Sequence, residues 1–528
     1  MLLLTSVYEL LWLVTTLTLR CTAQTVSVTI PFSAPSSAPA ISRSLVSFSI
    51  EQDRWVDWIG KGTSNTFFAN VLNNLKALSG EPTRIRIGAD SEDHTNFDPA
   101  VQASQSLYSE DIFPAISTTV PYPEATNITV GGAYYHLASL LPSGTQVIWG
   151  VNFGQANLTA AFLETQAISK AFTSSAVKSA GITLAAIEIG NEADLYANNG
   201  ARTSGWNLQK WETFASNVTA TANRILKTKV PIIGAAFASS SHSTSGFSPQ
   251  AIIQNGILNS TGGSQIKIIS QHHYSGSFCS GDNGVLQDLM TKATIRSNLT
   301  QYSSDITAVK QQSLEYILGE TNSYSCHGAP GVSNTAGAAL WGLDYSLFAS
   351  QIGISRLHFH EGIGYKYNFI QPITLTRSIL DGSTLSTPLL PHVQPLYYAA
   401  IIAAEAIGPS GKTTAVELIV SNAQVSGYAF FVNKILARAV FINLNAFTGT
   451  TARKSVHLAL DLIGSGGPTH MTVKRLSIPT ANSTSGLTWG GQTYETADGK
   501  VKGSLSTQTV PISQGVVIHD TEAVMLCF

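Results

Sequence analysis

LAAIEIGNEADLY (184–196) decides how this 528-residue chain is read. A short apolar run ends at Ile189 and opens through Gly190 into the polar pair Asn191 and Glu192. That is how a buried strand delivers a side chain to a loop. EYILGETNSYSCHGAP (315–330) repeats the pattern, with Glu320 at the end of its run. If both runs belong to one parallel barrel, two carboxylates share a pocket at its C-terminal face. That pair is the minimum equipment for cleaving a glycosidic bond by double displacement.

Working outward, eight apolar runs end in polar sequence: LVSFSIE (45–51), TRIRIG (83–88), QVIWGVNFG (146–154), LAAIEIGNE (184–192), PIIGAAFAS (231–239), IKIISQHHYS (266–275), EYILGE (315–320) and SRLHFHEG (355–362). Segments of helical periodicity lie between most of them, NTFFANVLNNLKAL (65–78) and WETFASNVTATANRILK (211–227) among them. The alternation predicts an α/β fold, a (β/α)8 TIM barrel, over residues 45–405. QPLYYAAIIAAEAIG (394–408) closes the eighth unit at Gly408 and Pro409. From 406 to 528 the runs become short and β-prone, predicting a C-terminal antiparallel β-sandwich. Residues 24–44 hold TVSVTIPF (25–32), an alternating segment expected to add a strand to that sandwich.

Charged residues make up 12% of the chain, against about 25% in ordinary soluble domains. With a net charge of -2 and no Lys/Arg stripe, nucleic acid is excluded as a partner. Residues 1–23 read as a secretion signal, with Cys21 and Ala23 at cleavage-site spacing, and imply a secreted, extracellular protein with no membrane attachment after cleavage. Six sequons, at Asn127, Asn157, Asn217, Asn259, Asn298 and Asn482, become N-glycosylation candidates in that setting. Of the remaining cysteines, Cys279 and Cys326 are the expected disulfide, because both fall in loops above one barrel face.

Strands four and seven of a closed barrel oppose each other across its mouth, which gives Glu192 and Glu320 the separation that retaining hydrolysis needs. Asn191 can donate to a sugar 2-hydroxyl, and Tyr274 of QHHYSG can hydrogen-bond Glu320. Arg86 needs an anion, for which Glu320, Glu51 and Asp90 are all open. Trp55 and Trp58 are either a sugar platform or packing residues. His358 and His360 alternate with Phe359 and point the same way; with His272 or His273 they make a zinc reading conceivable. Nothing else argues for it, and it leaves two glutamates idle, so no metal and no cofactor is expected.

GNEADLY around Glu192, QHHYSG around Tyr274 and LGETNSYSCHGAPGVSNTAGAALWGLDY around Glu320 resemble glycoside hydrolase family 79, the β-glucuronidases and heparanase-like endo-enzymes. The resemblance runs over nearly the whole mature chain and implies the same barrel and β-sandwich. It implies Glu192 as general acid/base with Asn191 beside it, Glu320 as nucleophile, and Glu51 as an acceptor for sugar hydroxyls. The implied activity is retaining hydrolysis of terminal β-linked glucuronic acid, with or without a 4-O-methyl group. The implied partner is a glucuronic-acid-containing oligosaccharide, polysaccharide or glycoprotein glycan. An endo-acting enzyme, a β-glycosidase for another sugar, and a non-catalytic carbohydrate-binding barrel are the alternatives. The chain departs from the family pattern twice. The family's carboxylate-binding tyrosine position is Ser325 here, with Tyr324 one residue earlier, and the usual GGN after RIG is Gly88, Ala89 and Asp90. The donors expected for a uronate carboxylate are therefore Tyr324, Ser325, His327, Gly328, Tyr365 and Lys366, and Asp90 would repel such a sugar unless it is paired, for which Arg86 is a candidate.

Overall fold

The computed structural model describes residues 24–102, 104–107, 116–227, 230–464 and 466–528. The segment read as a secretion signal lies outside them. Eight strands form a closed parallel barrel: Val46–Glu51, Ile85–Gly88, Gln146–Val151, Thr183–Ile189, Ile232–Phe237, Ile266–Ser277, Glu315–Ser325 and Leu357–Glu361. The eighth pairs with the first, Leu357 opposite Val46, and closes the ring. These strands are buried on both faces, which is why they read as apolar runs and not as alternating ones.

Local sequence sets the helices. Asn65 caps Thr66–Ser79 by accepting from the Phe68 N–H, and Gly80 ends that helix in the left-handed region at φ 71°. Helix Ala336–Ile352 is buried nearly throughout, consistent with its lack of a polar face. A bulge between Gln271 and His272 shifts the register of strand six against strand seven and sets His272 opposite Glu320.

The C-terminal region is antiparallel. Thr413–Glu417, Val425–Val432, Ile435–Asn443, Glu522–Cys527, His470–Ser477 and Thr488–Trp489 run in that order through one sheet. Facing it is a three-stranded sheet in which Gln24–Pro31 lies parallel to Ser455–Ile463, which also pairs with Val516–His519. Val26, Val28 and Ile30 on one side and Phe431, Phe441 and Leu526 on the other share a core, matching a β-sandwich.

Trp55 and Trp58 are fully buried. Trp55 packs edge-on against Trp149 and Trp58 against Phe68, so they are packing residues and form no sugar platform. Cys279 and Cys326 are bonded, with Cα atoms 5.7 Å apart. Asn127, Asn157, Asn217, Asn259 and Asn482 are exposed and Asn298 half-exposed.

Arg296 ties the barrel helices to the β-region. Its guanidinium donates to Asp344 at 2.6 and 3.1 Å, to Glu417 at 2.7 Å and to the Tyr428 hydroxyl at 2.8 Å. Asp344 has no exposed side-chain surface. Arg296→Ala leaves that carboxylate unpaired and should destabilise the protein by about 3–5 kcal/mol in chemical denaturation.

Burial, reinforced by the charge of Glu51, pushes Asp53 up to about 8, and burial pushes Glu164 up to about 8. The folded protein keeps these protons while the unfolded chain releases them in the ordinary carboxylate range. Their contribution to stability is complete at low pH and is lost as pH rises toward 8. The melting temperature should fall between pH 5 and pH 8, and Glu164→Gln should flatten that slope.

Candidate active site

The turn after strand four is fixed from beneath. Gly190 sits at φ 72°, where a Cβ would collide with Phe153, and Glu192 is left-handed at φ 49° and ψ 45°. Such a conformation in a non-glycine residue costs of order 1–3 kcal/mol and needs support from its surroundings. Asp93 supplies part of it, accepting from the N–H groups of Asn191, Phe153 and Gly154 and from the Tyr196 hydroxyl. The Glu192 N–H donates to Ala236 O at 2.8 Å.

Glu320 lies across the mouth. Its Oε1 accepts from the Tyr274 hydroxyl at 2.7 Å and its Oε2 from Arg86 Nη1 at 2.9 Å. Burial alone would raise its pKa. His360, His272, Arg86 and the Tyr274 hydrogen bond outweigh burial and hold the carboxyl well below the usual range. His272 is itself driven down to about 4 by burial and is neutral at pH 7, so Arg86, His360 and Tyr274 carry the effect. His360 is pushed up to about 9 against its burial, because Glu320 and Glu51 flank it; its Nε2 is 3.1 Å from Glu51 Oε1.

Glu192 is driven the opposite way, well above the usual range, first by burial and then by the charge of Glu320. Its Oε1 lies 3.0 Å from His272 Nδ1. One ligand atom each of Glu192, His272 and Glu320 lie within 4.8 Å of one another, among the described residues the one group close enough to share a cation. Arg86 already supplies the positive partner there. His358 takes no part, since it is fully buried with Nδ1 3.3 Å from Leu318 O.

Arg86 is the hub beneath both carboxyls. It also donates to Glu188 at 2.5 Å, Ser49 at 2.8 Å and Asn191 Oδ1 at 2.9 Å, with Glu92 at 3.7 Å. With its carbonyl engaged, Asn191 has its amide N–H groups left for a ligand. Burial and the charge of Glu188 push Glu92 well up, so it is a neutral carboxyl. A Cβ at Gly88 or Gly150 would collide with it. Glu188 and Glu92 escaped the sequence reading. The signal for Glu188 was present as a lone charge inside an apolar strand; Glu92 carries none.

Above this floor the cleft measures about 790 Å³. Glu51, Glu124, Ser325, His327 and His360 line one side, and Leu195, Ala238, Ser239, His242, Gln301 and Tyr302 the other. No Lys or Arg is among the described residues that line it. Several expected uronate donors are placed elsewhere. Tyr324 turns away because its ring fills the space left by the missing side chains of Gly276 and Gly284. The Gly328 N–H closes a turn onto Tyr324 O at 3.1 Å. Lys366 is buried, held down to about 8 by that burial, and donates to Thr118 O at 2.6 Å. Asp90 is 70% exposed and lies 3.4 Å from His94, not beside Arg86, whose guanidinium is sealed inside the barrel.

His327 and Tyr365 do reach this side, but both bind Glu124. His327 Nε2 is 2.5 Å and the Tyr365 hydroxyl 2.9 Å from its Oε1, while His327 Nδ1 is 2.5 Å from Thr119 O. Burial alone would raise Glu124, but His327 and Tyr365 outweigh it and hold the carboxyl below its ordinary range. Glu124 comes from the long insertion between strands two and three, in PYPEATNIT, which shows no pattern that marks it.

Residues 427–525 match the family described as glycosyl hydrolase family 79 C-terminal beta domain. A β-glucuronidase of Aspergillus niger is 29% identical over 94% of this chain and 91% of its own length. One from Neurospora crassa is 27% identical over 89% of this chain and 87% of its own length. A solved 4-O-α-L-rhamnosyl-β-D-glucuronidase from Fusarium oxysporum superposes with a TM-score of 0.77 at 21% identity, covering 95% of this chain and all of that one. A family 51 α-L-arabinofuranosidase from Bifidobacterium longum gives 0.61 at 14% identity, covering 96% and 99%. The two superpositions speak for the fold. By the β-domain match and the near-full-length similarities, the chain is similar to the β-glucuronidases of glycoside hydrolase family 79.

Proposed function

We propose that this chain is a secreted retaining β-glycosidase that removes terminal β-linked glucuronic acid from glycans. The observation that carries the reading is the Glu192–Glu320 pair, with oxygens within 4.8 Å and environments that drive one carboxyl up and the other down. Retaining enzymes hold their carboxyls about 5–5.5 Å apart, whereas inverting enzymes need about 6.5–9.5 Å to admit a water.

In this mechanism the ionised Glu320 attacks the anomeric carbon as Glu192 gives its proton to the departing oxygen. The glycosyl–oxygen bond breaks and a glycosyl ester of Glu320 forms. Glu192, now a carboxylate, takes a proton from water, whose oxygen attacks the same carbon and releases Glu320. The Asn191 amide reaches the 2-hydroxyl, and Glu51 with His360 takes hydroxyls farther round the ring. The names of the Aspergillus and Neurospora relatives support a glucuronide as substrate. One observation favours a second reading. Glu124 already occupies His327 and Tyr365, so a neutral sugar hydroxyl would meet an acceptor where a uronate meets a like charge. Secretion rests on the N-terminal sequence; no described helix is long and apolar enough to cross a membrane.

Glu320→Ala should lower kcat by about 10⁴-fold or more with the fold retained. Glu192→Ala should recover turnover of an activated aryl glycoside in azide and yield the β-glycosyl azide; an α product would overturn the assigned roles. In the wild type, activity should fall at the alkaline side only as Glu192 loses its raised proton, well above the ordinary carboxylate range.

Aryl β-glucuronide against aryl β-glucoside decides the sugar. Glu124→Gln keeps an acceptor for His327 and Tyr365 but removes a charge. On the glucuronide reading it should raise the glucuronide-to-glucoside ratio of kcat/KM about tenfold, chiefly by lowering KM for the glucuronide, as expected when one close like-charge contact is removed.

A further inference from the structure

We propose that the wall of the cleft beyond Glu192 is a leaving-group site built on a His242–Asp305 dyad, and that it takes an uncharged, hydroxyl-bearing sugar. The inference rests on Glu192 being the acid, since the departing group must lie on the acid's side. The link is direct. His272, whose Nδ1 meets Glu192, has its backbone carbonyl held by Ser239 Oγ at 2.8 Å and by the Tyr302 hydroxyl at 3.0 Å. Ser239, Tyr302, His242 and Gln301 all line that side. Asp194 accepts from the N–H groups of Ala238 and Ser240, joining the loop after strand five to the turn that carries Glu192.

Asp305 has no exposed side-chain surface, and its Oδ2 lies 2.7 Å from His242 Nδ1. Gln250 Nε2 donates to Asp305 Oδ1 at 3.0 Å and to His242 O at 2.7 Å. The imidazole stands edge-on to Tyr302 with centroids 4.7 Å apart. The histidine is therefore fixed at its ring, its backbone and its flank. A carboxylate only accepts, so Nδ1 carries the hydrogen, and Nε2 is the ring nitrogen left to meet a ligand hydroxyl. His242 is 22% exposed, into the cleft. A buried carboxylate is costly, and this one orients a histidine that makes no contact with Glu192 or Glu320. A ligand in the cleft accounts for that arrangement.

The class of ligand follows from charge. Among the described residues, the cleft holds the carboxyls of Glu51, Asp90, Glu124, Glu192 and Glu320 and is lined by no Lys or Arg. A sulfated or uronic leaving group would be repelled there, since His360 is taken up by Glu51 and Glu320 and no Lys or Arg among the described residues lines the wall to receive it. A neutral sugar can exchange hydrogen bonds through its hydroxyls with His242 Nε2 and the Gln301 amide, and lay an apolar face on Leu195 and Ala238.

The test compares three substrates sharing one glycone: a nitrophenyl glycoside, the glycone joined to a neutral hexose, and the same disaccharide sulfated on the hexose. Nitrophenyl glycosides are assayed on the wild type first, and the glycone it turns over is used throughout. A glucoside-preferring enzyme would then sink the glucuronide reading and leave this site testable. The wild type should prefer the neutral to the sulfated disaccharide at least about tenfold in kcat/KM. His242→Ala should lower the ratio of neutral disaccharide to nitrophenyl glycoside about tenfold, mainly through KM, the effect of one lost hydrogen bond. Asp305→Asn, which loosens the ring without removing it, should move the ratio the same way. If His242→Ala does not fold, His242→Gln, which keeps an acceptor, should lower the ratio less than tenfold while its melting temperature stays near the wild type. Equal use of the sulfated disaccharide overturns the neutral-sugar assignment, and an unchanged ratio in the folded variants overturns the site.

Discussion

A guanidinium sealed inside a barrel must be surrounded by anions, and Arg86 is so placed. Burial opposes its charge, and the carboxyls around it, Glu188 foremost and then Glu320, outweigh burial and hold the proton tighter than in water. Three carboxyls cannot all be ionised around one cation at this depth, and Glu92 is the one that keeps its proton. The same guanidinium fixes the Asn191 carbonyl and the Ser49 hydroxyl. One side chain from strand two thus sets the positions of groups on strands one, four and seven. Glycines at 88 and 150 are part of that constraint, since they make the room in which Glu92 lies.

From this floor the opposite behaviour of the two mouth carboxyls follows without any further device. Glu320 touches Arg86 and Tyr274 and faces the cationic His360, so its ionised form is favoured. Glu192 touches only a neutral imidazole and sees the charge of Glu320 across the gap, so its proton is favoured. With 23% of its side chain still exposed in the free cleft, Glu192 completes its desolvation when a sugar covers it. Substrate binding thereby strengthens the very difference that the chemistry uses.

The eight strands were legible because a barrel strand buried on both faces leaves an unbroken apolar run, and the two glutamates because each ends such a run. The β-region was legible from period-two alternation and turns. What periodicity cannot convey is where a side chain leans once its strand rises to the rim of the barrel, even within the ladder that pairs Tyr324 with Gly276 and Ser325 with Ser277. Tyr324 and Ser325 are adjacent, and only the absence of side chains at Gly276 and Gly284 decides that the tyrosine turns outward. Nor does it show what an insertion brings back. Glu124 lies far before Glu320 in sequence yet shares its cleft. Sequence alone leaves Glu320, Glu51 and Asp90 open as partners for Arg86; because Arg86 faces the barrel axis, it takes Glu320 and also Glu188 from across it.

The cleft itself is rich in carboxyls and holds its positive charge in His360 and in Arg86 below the surface. A negatively charged sugar can enter such a site only where an imidazole can be shared, and His327 is the histidine on the side away from the acid. There Glu124 and an incoming carboxylate would compete for the same nitrogen and the same tyrosine hydroxyl. A bound uronate must either displace Glu124 from His327 or be received by Ser325 and the backbone beside it. In both cases the anionic group is held on the side of Glu320 and Glu51, leaving the side of His242 and Tyr302 to a neutral one. On the proposed reading, charge more than shape orients a glycan in this cleft, with its acidic end inward from Glu124 and its neutral end past Glu192.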